Sequence, residues 1–401
     1  MKKISIIFSV LAFSFSTLFA QQINVYCLFY EQTGEFNGNN QLVVLDNTTG
    51  DMTSLGIIPG LAAIAVGSST FDQFNNRYIF WGISNSYQQK IYHIDIANAF
   101  IANNVSSANT PPGELQYDLQ YDKVYGFVNS QLQEVDIFSG VATTVGTYSS
   151  IQVYPVGSST FDSNNSHYII VGVNGSGLMT LYTIDVNTGA IVYSADLDNL
   201  GNIAVTSLHF DVQTNTLYGL YRNIADSETF WVSMNQETGE ITYISLVPEL
   251  SATYSGIAVG SSTYSQNARS MVFIGVTNGQ KQLFTLDALT GDITQAVPFE
   301  DQVIELEVNN TSFANSFYNK LSNTTPVNVE SITVAPNPAT NLLSVNLPSN
   351  KSIQLLDTSG KLIRTFENHQ GQLDISSLSS GAYWIVAKEE NTIFRALFFK
   401  E

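Results

Sequence analysis

One short unit is written six times over in the first three quarters of this 401-residue chain. That repetition limits the folds open to it more than any other feature. Three segments are almost the same: Val66–Asp72, Val156–Asp162 and Val259–Ser265, each beginning Val-Gly-Ser-Ser-Thr. Weaker relatives lie between them at Leu115–Asp118 and Leu208–Asp211. Each copy is followed by an apolar run ending in glycine, at Gly82, Gly126, Gly172, Gly219 and Gly275. The spacing to that glycine alternates 10, 8, 10, 8 and 10, so the units come in two flavours. A second marker, a hydrophobic residue and Asp followed by Thr/Ser-Gly, recurs at Asp46, Asp136, Asp185 and Asp287. Asn235 replaces the Asp in one copy, and Asp95 has lost its glycine. Asp or Asn bonds its own backbone two residues on, and glycine takes the positive φ that closes a short hairpin.

The runs before these turns, such as Lys90–Asp95 and Thr180–Asp185, are short and rich in β-branched and aromatic residues, and so read as strands. A period of about 48 residues with four short strands per unit fits a β-propeller. The expected fold class is all-β: a six-bladed β-propeller over residues 21–322, followed by a small Ig-like β-sandwich. The unit phase predicts that Ile23–Tyr30 is a second strand and that Val303–Val308 supplies its first, sealing the ring and removing two free sheet edges.

Residues 1–20 carry Lys2 and Lys3, then a largely apolar run from Ile4 to Phe15, then Ala20 before Gln21. This is the pattern of a secretory signal peptide cleaved near Ala20. The apolar run is short of the roughly 20 residues needed to span a membrane. Cys27, the single cysteine, excludes a disulfide framework within the chain and is read as a buried strand residue.

Charge separates the two ends. Residues 331–401 hold six basic and six acidic residues, whereas residues 21–330 hold seven basic against 28 acidic. The asymmetry predicts two folding units joined by a linker at 323–330. A net charge of −19 repels phosphate backbones and argues against nucleic acid as a partner. The tail carries strand signals at Leu342–Val345, Ser352–Leu356, Tyr383–Val386 and Ile393–Phe399, with turns at 357–361 and Ser380-Gly381, predicting a small antiparallel sandwich.

The succession Ala335-Pro336-Asn337-Pro338, Leu355-Leu356-Asp357-Thr358-Ser359-Gly360-Lys361, Ile375–Tyr383 and the ending Phe398-Phe399-Lys400 resembles the C-terminal sorting domain of the type IX secretion system, type A. The resemblance covers residues 331–401. It implies an Ig-like export address read by the type IX machinery, often removed on export, with the cargo released or held at the outer-membrane surface. It says nothing about what the repeats bind.

For the repeats, three roles are open. In the first, a binding or interaction module, Ser68, Ser158 and Ser261 would ring the channel with hydroxyls and meet an extracellular glycan or protein. The plainer reading is that inner strands crowd near the axis and need small residues. The second is an extracellular polysaccharide-degrading enzyme using Glu305 and Glu307, which alternate on one strand about 7 Å apart. The third is an adhesive surface protein. The turn aspartates read as structural rather than as metal ligands. Asp196–Asn202 matches a calcium loop only in part, with Leu at its fifth position and no Glu at its twelfth. His93, His167 and His209 lack ligand spacing, and His369, in the tail, is read as solvent-exposed. Trp81 and Trp231 read as core. No nucleophile elbow, zinc helix or P-loop motif is present. No residue is assigned as catalytic, cofactor-binding or metal-binding, and no cofactor is expected. The reading favoured is non-catalytic recognition outside the cell.

Overall fold

The computed structural model describes residues 21–32, 38–96, 100–106, 112–151, 157–197, 203–251, 256–277, 279–299, 303–314, 328–347, 352–357, 362–367, 371–389 and 392–401. The signal-peptide segment, His369, the Thr358–Lys361 turn and most of the Asp196–Asn202 segment lie outside them. The chain divides into two compact units, 1–318 and 319–401.

The first unit is built almost wholly of strands. Its described residues form six four-stranded sheets, each antiparallel and each running through consecutive strands with one exception. The first strands of the sheets are Leu61–Asp72, Gly113–Asp118, Ser159–Asp162, Ile203–Asp211, Gly256–Ser265 and Val303–Val308. Each lies against the next, and the last returns to the first.

The exception is the sheet made from both ends of the unit. Val303–Val308 pairs antiparallel with Asn24–Gln32, Val25 opposite Val308 and Phe29 opposite Val303, and Gly38–Asp46 and Met52–Ile57 follow. This is the strand pairing read from the unit phase. Cys27 sits in this sheet and is fully buried.

Second strands are buried on both faces. In Arg77–Ser84 the residues Tyr78 to Gly82 are all buried, and Tyr168 to Gly172 repeat the pattern. A strand covered on both faces needs a continuous apolar run rather than alternation. Outer strands such as Ala190–Asp196 alternate between exposed and half-buried. One core cluster runs from Trp81 through Leu115 and Val171 to Val232, so the sheets share cores with their neighbours.

The repeated Asp turns form as the chemistry dictates. Asp46 accepts the Thr48 N–H at 2.7 Å, and Gly50 N–H bonds the Asp46 carbonyl at 2.9 Å with φ of +77°. Asp136, Asp185, Asn235 and Asp287 repeat the arrangement. The residue after the marker is also used. Asn47, fully buried, accepts the Ile23 N–H at 2.6 Å and donates to Thr285 Oγ1 of the adjoining sheet at 3.0 Å.

The second unit has a five-stranded sheet in the order Asn328–Ser331, Thr392–Lys400, Gly381–Glu389, Ile353–Asp357 and Leu362–Phe366. A three-stranded sheet of Val334–Ala335, Leu342–Val345 and Gln372–Asp374 accompanies it. Leu343, Val345 and Leu373 of the smaller sheet share one core with Ile353, Leu355, Ile385 and Phe398 of the larger. Two expectations need correction. Residues 328–330, expected in the linker, belong to a strand, and that strand pairs parallel with Thr392–Lys400 rather than antiparallel. An edge strand arriving from outside a meander is free to pair in either sense, and no turn signal marks its direction.

Replacing Asn47 by Ala strands the Ile23 N–H and the Thr285 hydroxyl in the interior. The expected loss is about 1–3 kcal/mol of stability in urea unfolding; a change under about 0.5 kcal/mol, the range of an ordinary surface substitution, contradicts this role.

Candidate functional site

Three of the six inner strands carry a common pattern in register: Glu114–Asp118, Ser207–Asp211 and Glu305–Asn309, with leucine second in each. The leading residue of each has left-handed backbone, φ of +50° at Glu114, +52° at Ser207 and +60° at Glu305. The pairing register slips at the same point. Such a bulge re-aims a side chain. For a residue with a Cβ it costs on the order of 1–3 kcal/mol, so the surroundings must hold it.

At Glu305 the holding is explicit. Its Oε1 accepts the Gly67 N–H at 2.6 Å, and its Oε2 accepts those of Ser68 at 2.9 Å and Ser69 at 2.8 Å. Gly67 has φ of +74°, which turns successive N–H groups toward one point and makes an anion cradle. Glu114 uses the next equivalent segment, accepting the Gly157 N–H at 2.9 Å, and Gly157 has φ of +78°. A tyrosine from each second strand secures the bulge carbonyl: Tyr168 OH donates to Glu114 O at 2.6 Å, and Tyr78 OH donates to Glu305 O. In the third copy Ser207 replaces the glutamate, and Met271 stands in the tyrosine's register.

Two residues beyond each bulge stand Gln116, His209 and Glu307. Glu307 and Gln116 line a cavity of about 110 Å³ that also meets Thr70, Thr160 and Thr263, and so touches alternate inner strands around the axis. Ser69 Oγ donates to Glu307 Oε1 at 2.9 Å, so Ser69 serves both acids of the strand. Burial pushes Glu305 up to about 7 against the pull of its N–H donors. Burial, with the neighbouring Glu305 adding to it, pushes Glu307 up to about 8. Burial likewise raises Glu114 to about 7.

Glu305 and Glu307 are thus brought together as the sequence suggested, but Glu305 is sealed and committed to the backbone. The serines do not ring an open channel. Ser68 Oγ donates to Ala65 O and to Trp81 O, and Ser261 Oγ to Ile274 O, both turned back toward their own sheets. Ser158 is fully buried. The threonines two positions on line the cavity instead. In two of its three copies the Gly-Ser-Ser repeat serves through its backbone, presenting N–H to a carboxylate from the preceding sheet.

The aromatic-Asp turns are structural. Asp72 accepts Phe74 and Asn75 N–H groups, and Asp162 those of Asn164 and Asn165. Asp196, first in the partial calcium pattern, accepts Asn174 Nδ2 and Thr180 Oγ1. Trp81 and Trp231 are buried core residues. His93, with its ring edge against Phe138, is pushed down to about 4 by burial and by Arg77, while Asp72 opposes. His209 stacks on Tyr264 at 5.7 Å and is pushed down to about 3 by burial. His167 lines a separate polar groove of about 600 Å³ with Tyr193, Asn215, Asn235, Glu237 and Thr242. Sequence reasoning missed Glu114, Tyr78 and Tyr168. The signal was present, because extending the alignment of Leu115–Asp118 by one residue sets Glu114 beside Glu305.

A buried histidine with a depressed value favours the neutral form in the folded state, so its contribution to stability is lost as pH falls from about 6.5 toward 3. The His209 ring resonances should therefore stay fixed between pH 8 and 5 in the folded protein; a midpoint near 6.5 would show the ring to be solvated.

Residues 333–398 match the secretion system C-terminal sorting domain. No curated protein matches the sequence. Among solved structures, TolB from Acinetobacter baumannii aligns with a TM-score of 0.51 at 12% identity, covering 71% of this chain and 66% of that one. The chain thus spans just under two thirds of the length of that TolB. The Swd1 β-propeller domain of Myceliophteria thermophila aligns at 0.43 and 12% identity over 80% of this chain and 92% of its own. At such identities the likeness concerns the fold alone. The chain carries a type IX secretion C-terminal sorting domain at its end, behind a β-propeller-like unit.

Proposed function

We propose that this is a type IX cargo whose working part is a six-bladed propeller used for non-catalytic recognition. In this reading residues 1–20 are a signal peptide cleaved near Ala20, and residues 21–322 form the ring. A short segment leads into an Ig-like sorting sandwich, read by the type IX machinery, that opens with the strand Asn328–Ser331 and runs to residue 401. The protein then works as a secreted or outer-membrane-surface module that meets an extracellular glycan or protein. The six cyclically adjoining sheets support the blade count, and the two sheets around one core support the sandwich.

The observation that carries the non-catalytic reading is the commitment of Glu305 to three backbone N–H groups. Three of the carboxylate's roughly four acceptor sites are taken by backbone donors, and a group held in this way is badly placed to exchange protons with a substrate. The alternative, a polysaccharide-degrading enzyme, draws on Glu307, an acid raised to about 8 that faces a cavity. That cavity, about 110 Å³, is well below the roughly 300 Å³ at which ligand pockets begin. The polar groove beside Tyr193 and Asn235 is of ligand size, and it has no Lys or Arg among its lining residues. It suits a neutral hydroxylated ligand better than an anion.

Expression in a type IX-competent bacterium provides the test of export: the full chain should reach the surface or medium, and a chain lacking residues 331–401 should stay in the periplasm. Full-length protein should then bind a member of a glycan and protein panel without turning it over. Polysaccharide cleavage that disappears in E307Q would replace this reading with the enzyme.

A further inference from the structure

Glu305 and Glu307 stand two residues apart on the strand that completes the sheet made from both ends of the propeller-like unit. Their partners lie on Leu61–Asp72, a different sheet and more than 230 residues away in sequence. Both oxygens of Glu305 face donors, so a proton on either would be set against an N–H. Glu307 receives a single hydroxyl donor and otherwise faces the cavity, where an acid proton has room.

We propose that the two acids form a one-proton latch. Glu305 is the ionised member, held by the Gly67, Ser68 and Ser69 N–H groups, and Glu307 is the neutral member. Loss of the Glu307 proton to solvent sets a second negative charge, beside the buried one of Glu305, around Ser69 and loosens Val303–Val308 from Leu61–Asp72.

Among the described residues, the surroundings supply no cation to offset that second charge. Asn24–Gln32 brings Tyr26, directly opposite Glu307, and Cys27. Arg77–Ser84 brings Tyr78, which feels both acids. The Gly256–Ser265 strand brings Tyr264, and Gly113–Asp118 brings Glu114, itself coupled to Glu305. On Leu61–Asp72 the sole charged residue is Asp72, at the strand's end, with Arg77 nearest to it at 3.8 Å. Burial raises Tyr26, Tyr78, Tyr264 and Cys27, so these groups stay neutral while the carboxyls titrate.

The chain holds its own comparison. At Glu114, the other cradled acid, the position two residues on is Gln116, whose Nε2 meets Ser159 O at 3.2 Å and Ser159 Oγ at 3.1 Å. Ser159 is the counterpart of Ser69. A neutral amide therefore already fills the Glu307 position in an equivalent site, and E307Q is expected to fold.

The sign follows from a carboxyl raised in the folded state. Its stabilisation is complete below the unfolded value of 4.5 and is lost as pH rises to about 8. Urea unfolding of the full chain, followed by tryptophan fluorescence at pH 7.5 and 9, tests the latch above the range in which the histidines titrate. Wild type should lose stability across this interval, while E307Q should lose less than half as much and exceed wild type at pH 9. The thermal midpoint should separate the two by on the order of 3 °C at pH 9. Q116E, which installs a second acid pair, should steepen the loss. The exposed control E228Q removes one charge and should track wild type. Equal slopes in wild type and E307Q, an E307Q that fails to fold, or a Q116E no steeper than wild type would each overturn the latch.

Discussion

The pairing of Val303–Val308 with Asn24–Gln32 is the contact on which the larger unit depends. It joins residues nearly 280 positions apart, and the entropy of closing so long a loop grows only with the logarithm of its length. What it accomplishes is larger. Without it the first and last sheets would each present an unpaired edge and an uncovered apolar face. With it, Val25, Cys27, Val303 and Val308 enter one core with Val272 and Leu283 of the preceding sheet. Asn47, Gln73 and Asn310 add polar ties across the same junction, Asn310 N–H to Gln73 Oε1 and Asn310 Nδ2 to Tyr264 O.

A chain with only 12% charged residues fits this arrangement. Second strands are covered on both faces, which leaves charge mainly to outer strands and turns. The acids that are buried sit near the axis, where backbone N–H groups meet them. Buried neutral histidines and buried raised glutamates pull stability in opposite directions with pH. His93 and His209 weaken the fold as pH falls below about 6.5, and Glu114 and Glu307 weaken it as pH rises from 4.5 toward about 7 and about 8.

The two units solve different problems. The sorting domain is electrically neutral and keeps its own core, with Leu343 and Phe398 buried in it. An address of this kind works independently of its cargo when its core is self-contained. The repeats carry the acid surplus and the polar groove of about 600 Å³.

Much of this was legible in the residues. The repeat period, the Asp-Gly turns and the order of strands follow from local chemistry, because an Asx turn and a positive-φ glycine need no distant partner. The strand that completes the terminal sheet was legible from the phase of the repeat, and the export domain from its motifs. The candidate site was legible only in part. Glu305 and Glu307 stood out as a pair, but the Gly-Ser-Ser segments were read for their hydroxyls, whereas their N–H groups do the binding. Backbone direction at a bulge is set by the neighbouring sheet, and no side-chain pattern encodes it. Glu114 was within reach of the repeat alignment, one residue before Leu115, whereas the bond of Tyr168 to its carbonyl is a tertiary contact. The parallel edge strand at 328–331 was hidden too, since pairing sense is chosen by the edge that receives it. Sequence alone determined which elements form and in what order; tertiary packing decided which polar groups meet, because that depends on contacts between residues far apart in the chain.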